Sequence, residues 1–442
     1  MFSFSYPKFN DPGHSVRSSR RNTALRLLGS ALAVSLCAIP AFADNGDDNN
    51  NNGAIRLLRT IPMPGNFTPL RSFDISWVDA ATQRYYLADR SNAGVDVVDT
   101  RTGTFIKVIK GNFAGVKFNA AGAANTALSG PHGVVVSGRW LFVTDAGSRV
   151  VTIDLTNDQI VGEAKTSSSA NRADELAYDP ESGTLLVINN VDSPPFGTLI
   201  SVDKNTGKLT VGAQVAFDKS HAGFDATNGA EQPLWDPVTG RFYLSIPELN
   251  CDVAELCGGK YPVGAVVRIH PKTATVDGIF PVRFCQPAGL TLGPKQDLLL
   301  GCGVTFDTAG NVWTATDTAS AAPRSVIMDL RTGEIDKAVM GVSGSDEVWF
   351  NRGDGRYYLG ARNNPTGPVL GVIDASSQAL VQLVPTVNTA GVPNVFPAGT
   401  AHSVAADPRN NHIIVPLSAN NVFPNCLNGC FAVYSAPRDD GR

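Results

Sequence analysis

Apolar and polar residues alternate along this chain in short blocks, and the blocks recur. Residues 231–244, EQPLWDPVTGRFYL, set the pattern: an apolar run at Leu234-Trp235, the turn Asp236-Pro237-Val238-Thr239-Gly240, then Arg241-Phe242-Tyr243-Leu244. Pro and Gly punctuate the turn while aromatic and branched residues fill the runs, which predicts a β-hairpin. The pattern returns in FDISWVDAATQRYYLA from Phe73, DELAYDPESGTLLVI from Asp174, DEVWFNRGDGRYYLGA from Asp346 and HSVAADPRNNHIIVPL from His402. No window keeps a 3.6-residue apolar period over a useful length, so a helical solenoid is excluded.

Seven units open near Asp74, His132, Asp174, Glu231, Ala288, Asp346 and His402. Each continues with a third strand, such as 95–99 or 198–203. A D-x-x-T-G turn follows in three units, at 99–103, 203–207 and 329–333, and a fourth strand such as 104–109 closes the unit. Four strands repeated in this way predict an all-β chain, a seven-bladed β-propeller with four antiparallel strands per blade. The seventh unit has strands near 402–406, 412–417 and 431–434 but no fourth. The stretch 55–61, ahead of unit one, is expected to supply it as an N-terminal strand closing the last blade, pairing two otherwise open edges. Two insertions interrupt the units, 250–264 in the fourth and 303–323 between the second and third strands of the fifth.

Residues 1–43 read as a signal peptide. Arg20-Arg21 and Arg26 precede an apolar run at 27–39, and Ala41-Phe42-Ala43 forms an A-x-A cleavage site. Cleavage after Ala43 would give a periplasmic or secreted protein. The run is too short for a membrane span, and no other stretch approaches the roughly 20 apolar residues one needs. The arginine pair hints at twin-arginine export, but Asn22-Thr23-Ala24 lacks the usual apolar continuation, so the general secretory route is expected. Residues 44–53, DNGDDNNNNG, form a polar low-complexity linker. The propeller is assigned to 54–442.

Charge and cysteines fit an exported protein. The leader carries five basic residues and one acid, so its removal takes the net charge from −4 to −8. Such an acidic protein suits neither nucleic acid nor anionic membrane surfaces; a monomer is expected. Of seven cysteines, Cys37 leaves with the leader. The remaining six allow 15 pairings, and 251–257, 285–302 and 426–430 are favoured because each closes a local loop or hairpin. A zinc site is the rival reading, and no CxxC pair supports it.

The candidate chemistry lies in one register. The residue about five before each D-P turn is Asp74, His132, Asp174, Glu231, Ala288, Asp346 or His402, and two of the chain's six histidines fall there. The innermost strands of a propeller line its channel, so these positions form a ring around the axis. Carboxylates crowded there repel one another unless something positive neutralises them. At least three of Asp74, His132, Asp174, Glu231, Asp346 and His402 are therefore expected to bind one divalent cation. Mixed imidazole and carboxylate suits zinc, manganese or iron, with calcium on the carboxylate side alone. His132 and His402 are the candidate proton carriers, and the gap at Ala288 is the expected ligand entrance. A plain solvated channel is the alternative. Glu175 and Glu347 follow two of the aspartates, and strand alternation should turn them to the other face. Asp145, Asn189 and Asn190 rank lower, on the same rim. His221 could cover the channel mouth, whereas His270 and His412 look like surface residues. No G-x-S-x-G, P-loop or dinucleotide motif occurs.

The repeats resemble those of NHL and YVTN-type bacterial propellers across 55–437. EQPLWDPVTGRFYL is similar to the opening strand of the gluconolactonase/senescence-marker family, whose Glu there binds metal; the resemblance implies that role for Glu231. PHGVVVSGRWLFVTD, residues 131–145, is similar to that family's PNG…YVTD stretch. This implies a ligand at Asp145, with His132 standing where the family has Asn. At the related stretch from Pro287, Ala288 stands in that place. Streptogramin lyases, seven-bladed and metal-dependent with His near the axis, are similar in style. Together these imply a metal-dependent lactone or ester hydrolase, or a lyase, acting on a small molecule. The other class is a non-catalytic propeller that binds a small molecule, glycan or protein on its rim.

Overall fold

The computed structural model describes residues 53–250, 263–307, 309–314, 323–386 and 402–436. The expected leader, all of the linker but Gly53, the 251–257 pairing and part of the 303–323 insertion lie outside the described residues. The strands form seven antiparallel sheets, one per predicted unit. In the first blade the order is Phe73–Asp79, Arg84–Asp89, Gly94–Asp99 and Thr104–Lys110, and the other blades repeat it. Each first strand touches the first strands of both neighbouring blades, and the cycle closes from Ala405–Asp407 back to Phe73–Asp79. The seven-bladed propeller expected from the repeats is thus the fold.

Packing explains why the inner strands read as nearly continuous apolar runs. Neighbouring residues of a strand point to opposite faces of the blade, and here both faces are buried. Tyr85 and Leu87 pack with Ile414 and Phe431 of the seventh blade, whereas Tyr86 and Ala88 pack with Val134 and Val143 of the second. Tyr357 and Tyr358 divide in the same way between the fifth and seventh blades. Seven apolar clusters result, one at each blade interface. Outermost strands face water on one side, and Ala379–Pro385 alternates exposed and half-buried residues along its length.

The N-terminal strand Arg56–Pro62 pairs with Cys430–Ser435 and forms the outer edge of the seventh blade. Two details depart from the expected pattern. The fourth blade gains a short strand, Asp225–Ala226, on the far end of Arg241–Asn250. In the fifth blade, residues 303–305 continue the second strand Asp297–Thr305, where Val304 and Thr305 pair with Gln286 and Cys285. The insertion therefore begins later than the sequence suggests. Disulfides join Cys285 to Cys302 and Cys426 to Cys430. Among the described residues no helix is long and apolar enough to cross a membrane.

Candidate metal centre at the propeller axis

The ring positions stand at or just ahead of the first strands, where pairing to the second strand already holds the backbone. His132 N donates to Thr144 O at 3.0 Å, Asp174 N to Ile188 O at 2.7 Å and Glu231 N to Ser245 O at 2.9 Å. Five of the seven positions meet side chain to side chain across consecutive blades. His402 Nδ1 lies 3.0 Å from Asp346 Oδ2, and its Nε2 donates to Asp74 Oδ1 at 2.6 Å. Asp74 Oδ2 is 2.6 Å from His132 Nδ1, which is also 3.3 Å from Asp174 Oδ1. The result is an unbroken line, Asp346–His402–Asp74–His132–Asp174.

The two histidines serve different ends. His132 is fully buried, and its Nε2 lies 2.8 Å from the Ser129 carbonyl. A carbonyl only accepts, so Nε2 carries a proton. Burial and the nearby Arg90 charge lower the His132 pKa and favour the neutral ring. Nδ1 then carries a lone pair, which faces two carboxylate oxygens and the Arg90 guanidinium at 2.9 Å. Together Asp74, His132 and Asp174 offer three ligand atoms within 4.8 Å of one another. The Ser129 carbonyl plays the part usual for the partner of a metal-bound imidazole, fixing its tautomer and orientation. His402 instead presents different nitrogens to different carboxylates, so it cannot offer one ion the same grip. Burial and Arg362 oppose its charge, but Asp346 and Asp74 outweigh them and raise its pKa. It bridges the two carboxylates.

Three arginines supply positive charge that the sequence reading did not assign. Arg90 pairs with Asp74, Arg172 with Asp174 at 2.9 Å and Arg362 with Asp346 at 2.8 Å. Arg90 and Arg362 each lie 16 residues after their aspartate, a repeat spacing that could have flagged them. Burial works against the Asp74 carboxylate, yet Arg90 and the hydrogen bond from His402 hold it well below the usual range. Asp346 is brought down to about 2, against burial, by His402 and Arg362.

The glutamates behave otherwise. Among the described residues the Glu231 carboxyl makes no hydrogen bond or ion pair, and burial with the Asp346 and Asp174 charges pushes it up to about 8. Glu175 is raised well above the carboxylate range by burial, then by Asp174 and Glu231. Glu347 does not turn away from the axis as alternation suggested. From the sixth blade it accepts from Ser76 N in the first at 3.3 Å and from Val404 N in the seventh at 3.1 Å. Burial pushes Glu347 up to about 8. Further along, Trp77 of the first blade and Trp349 of the sixth meet edge to face at 5.3 Å.

Other candidates fall into supporting places. Asp145 Oδ1 accepts from Ala114 N at 3.1 Å, and Asp145 Oδ2 lies 3.3 Å from Arg149, so it seats a loop and does not join the triad. Asn190 accepts from Arg172 Nε at 3.1 Å, and Asn189 bonds Thr166 and Ser148. His221 bonds Asp218, His270 the Lys272 amide and His412 the Thr100 carbonyl; none touches the cluster. Ala288 occupies the fifth ring position. A Cβ on the next residue, Gly289, would lie 2.2 Å from the Asp346 carbonyl, just as one on Gly133 would lie 2.7 Å from that of Asp174.

No family model matches the sequence, and no curated protein is similar to it. Among solved structures the chain is similar to hydrazine synthase of Kuenenia stuttgartiensis. The TM-score is 0.57 at 12% identity, covering 81% of this chain and 94% of that one. At that identity the likeness shows a shared propeller fold and nothing of the site.

Proposed function

We propose that the axial pocket binds one divalent cation through Asp74, His132 and Asp174, and that the protein is a metal-dependent lactone or ester hydrolase, or a lyase. The observation that carries this reading is the His132 Nδ1 lone pair set between two buried carboxylates, its ring oriented by the Ser129 carbonyl. One imidazole and two carboxylates suit zinc or manganese better than calcium, and three protein ligands leave a coordination position for a reactant. The cation would polarise a carbonyl or activate water. His132 then serves as a ligand, and proton transfer passes to the unpaired Glu231, whose carboxyl burial and the Asp346 and Asp174 charges push up to about 8 in the metal-free chain. The family resemblance implied a ligand at Glu231; in this reading the triad holds the ion and Glu231 carries the proton instead. Export follows from the leader together with the two disulfides, which persist in oxidising compartments.

Elemental analysis of the purified protein tests the reading. One zinc or manganese per chain is expected, lost in His132→Ala and retained in Glu231→Gln. Turnover of a lactone and ester panel should vanish with chelation and return with metal. A metal-free wild type, inactive with or without added ion, would overturn it. One observation favours a second reading, a non-catalytic pocket for a small molecule or glycan: the three arginines already balance the three aspartates.

A further inference from the structure

We infer that Arg90 is an internal cation that competes with the metal for the triad and so sets the affinity of the site. This rests on the triad being a metal centre. Arg90 Nη2 is ion-paired with Asp74 Oδ2 and lies 2.9 Å from His132 Nδ1. Asp74 and His132 both belong to the triad, and these are the atoms by which they face each other. The imidazole Nδ1 has a single lone pair, so a guanidinium that occupies it and an ion that binds it exclude each other.

The neighbouring arginines lack this property. Arg172 reaches Asp174 through Oδ2, leaving Oδ1 to face His132. Arg362 bonds Asp346, which lies outside the triad. Arg90 is also free to yield. Its Nη1 donates to the Phe73 carbonyl at 3.0 Å and can stay there, while its buried Nε has no partner among the described residues to lose. Without metal, the guanidinium keeps buried carboxylates apart from an uncompensated charge. The pocket should therefore be formed before the ion arrives, and the ion's affinity reduced by what it costs to displace Arg90.

Isothermal titration of the chelator-treated full chain with Zn²⁺ and with Mn²⁺ tests this. Arg90→Met should bind at least about tenfold more tightly than wild type while its metal-free form melts lower; Arg172→Met should bind no more tightly. If Arg90→Met does not fold, Arg90→Lys serves, since a lysine cannot hold Asp74, His132 and the Phe73 carbonyl together; it too should bind more tightly. Wild type that binds metal while the Arg90 variant binds equally or less tightly overturns this inference and leaves the metal centre standing. Metal bound by Arg90→Met alone supports the inference and overturns the metal reading for the native chain. No binding by any variant overturns both.

Discussion

Asp74 in the first blade accepts a hydrogen bond at 2.6 Å from His402 in the seventh, 328 residues away. The bond crosses the seam where the two ends of the propeller meet. The same seam is closed on the outside by Arg56–Pro62, pairing with Cys430–Ser435. The candidate site and the ring closure are therefore coupled: a propeller open at this seam would separate Asp74 from His402 and from Glu347, whose carboxyl joins Ser76 to Val404.

The closing strand should stabilise mainly through Ile61. Ile61 is 3% exposed and packs in the cluster between blades seven and one, whereas Leu58 is 40% exposed. Ile61→Ala should cost about 2–4 kcal/mol and Leu58→Ala within about 0.5 kcal/mol. Chemical denaturation of both variants checks this. Equal losses would mean that the strand is held by its ladder alone.

Gly130 should matter to the site without touching it. A Cβ there would lie 1.9 Å from Asp145 Oδ1 and 2.9 Å from Ala146 N. That clash would push out the segment ending in Ser129, whose carbonyl fixes the His132 tautomer. Gly130→Ala should keep the β-sheet circular dichroism spectrum but weaken metal binding about 10- to 100-fold, the usual cost of losing such a partner. Unchanged affinity would remove Ser129 from the account.

The blades were legible in the sequence because each unit repeats its turn chemistry: Asp99 Oδ1 accepts from Thr102 N at 2.8 Å just as Asp329 caps its own turn. The ring register was legible because a propeller maps equal repeat positions onto one circle. What stayed hidden depends on side-chain reach and backbone atoms. Arg90 and Arg362 sit at the ends of second strands, one layer out from the ring, and only their long side chains bring them in. The Ser129 carbonyl has no side-chain identity to read. Alternation misplaced Glu347 because a carboxyl at the crowded axis can reach across the seventh blade to the first.

The disulfides should differ in weight. Cys285–Cys302 spans 17 residues and Cys426–Cys430 only 4. Loop entropy assigns about 3 kcal/mol to a loop of roughly 15 residues and less to a shorter one. Cys285→Ser with Cys302→Ser should lower the denaturation midpoint clearly more than Cys426→Ser with Cys430→Ser. The reverse order would show that the short loop acts through packing beside Met63 and Leu70.

Asp96 in the first blade is a core position that carries an acid. It is fully buried, and among the described residues neither oxygen has a hydrogen-bond partner. Burial, then the charge of Asp89, raises its carboxyl well above the usual range; burial pushes Asp89 itself up to about 6. Between the ordinary Asp value and about 6, both groups hold protons in the folded chain that the unfolded chain has given up. Stability from this pair is therefore complete below pH 3.8, the ordinary Asp value, and falls as pH rises toward 6 and beyond. Each tenfold change in proton affinity is worth about 1.4 kcal/mol. Asp96→Asn keeps the shape and needs no proton. Its melting temperature should match wild type near pH 4 and exceed it by several degrees at pH 8, the gap opening through the interval between. Parallel melting curves across that range would mean that Asp96 is ionised in the native protein and has a partner there.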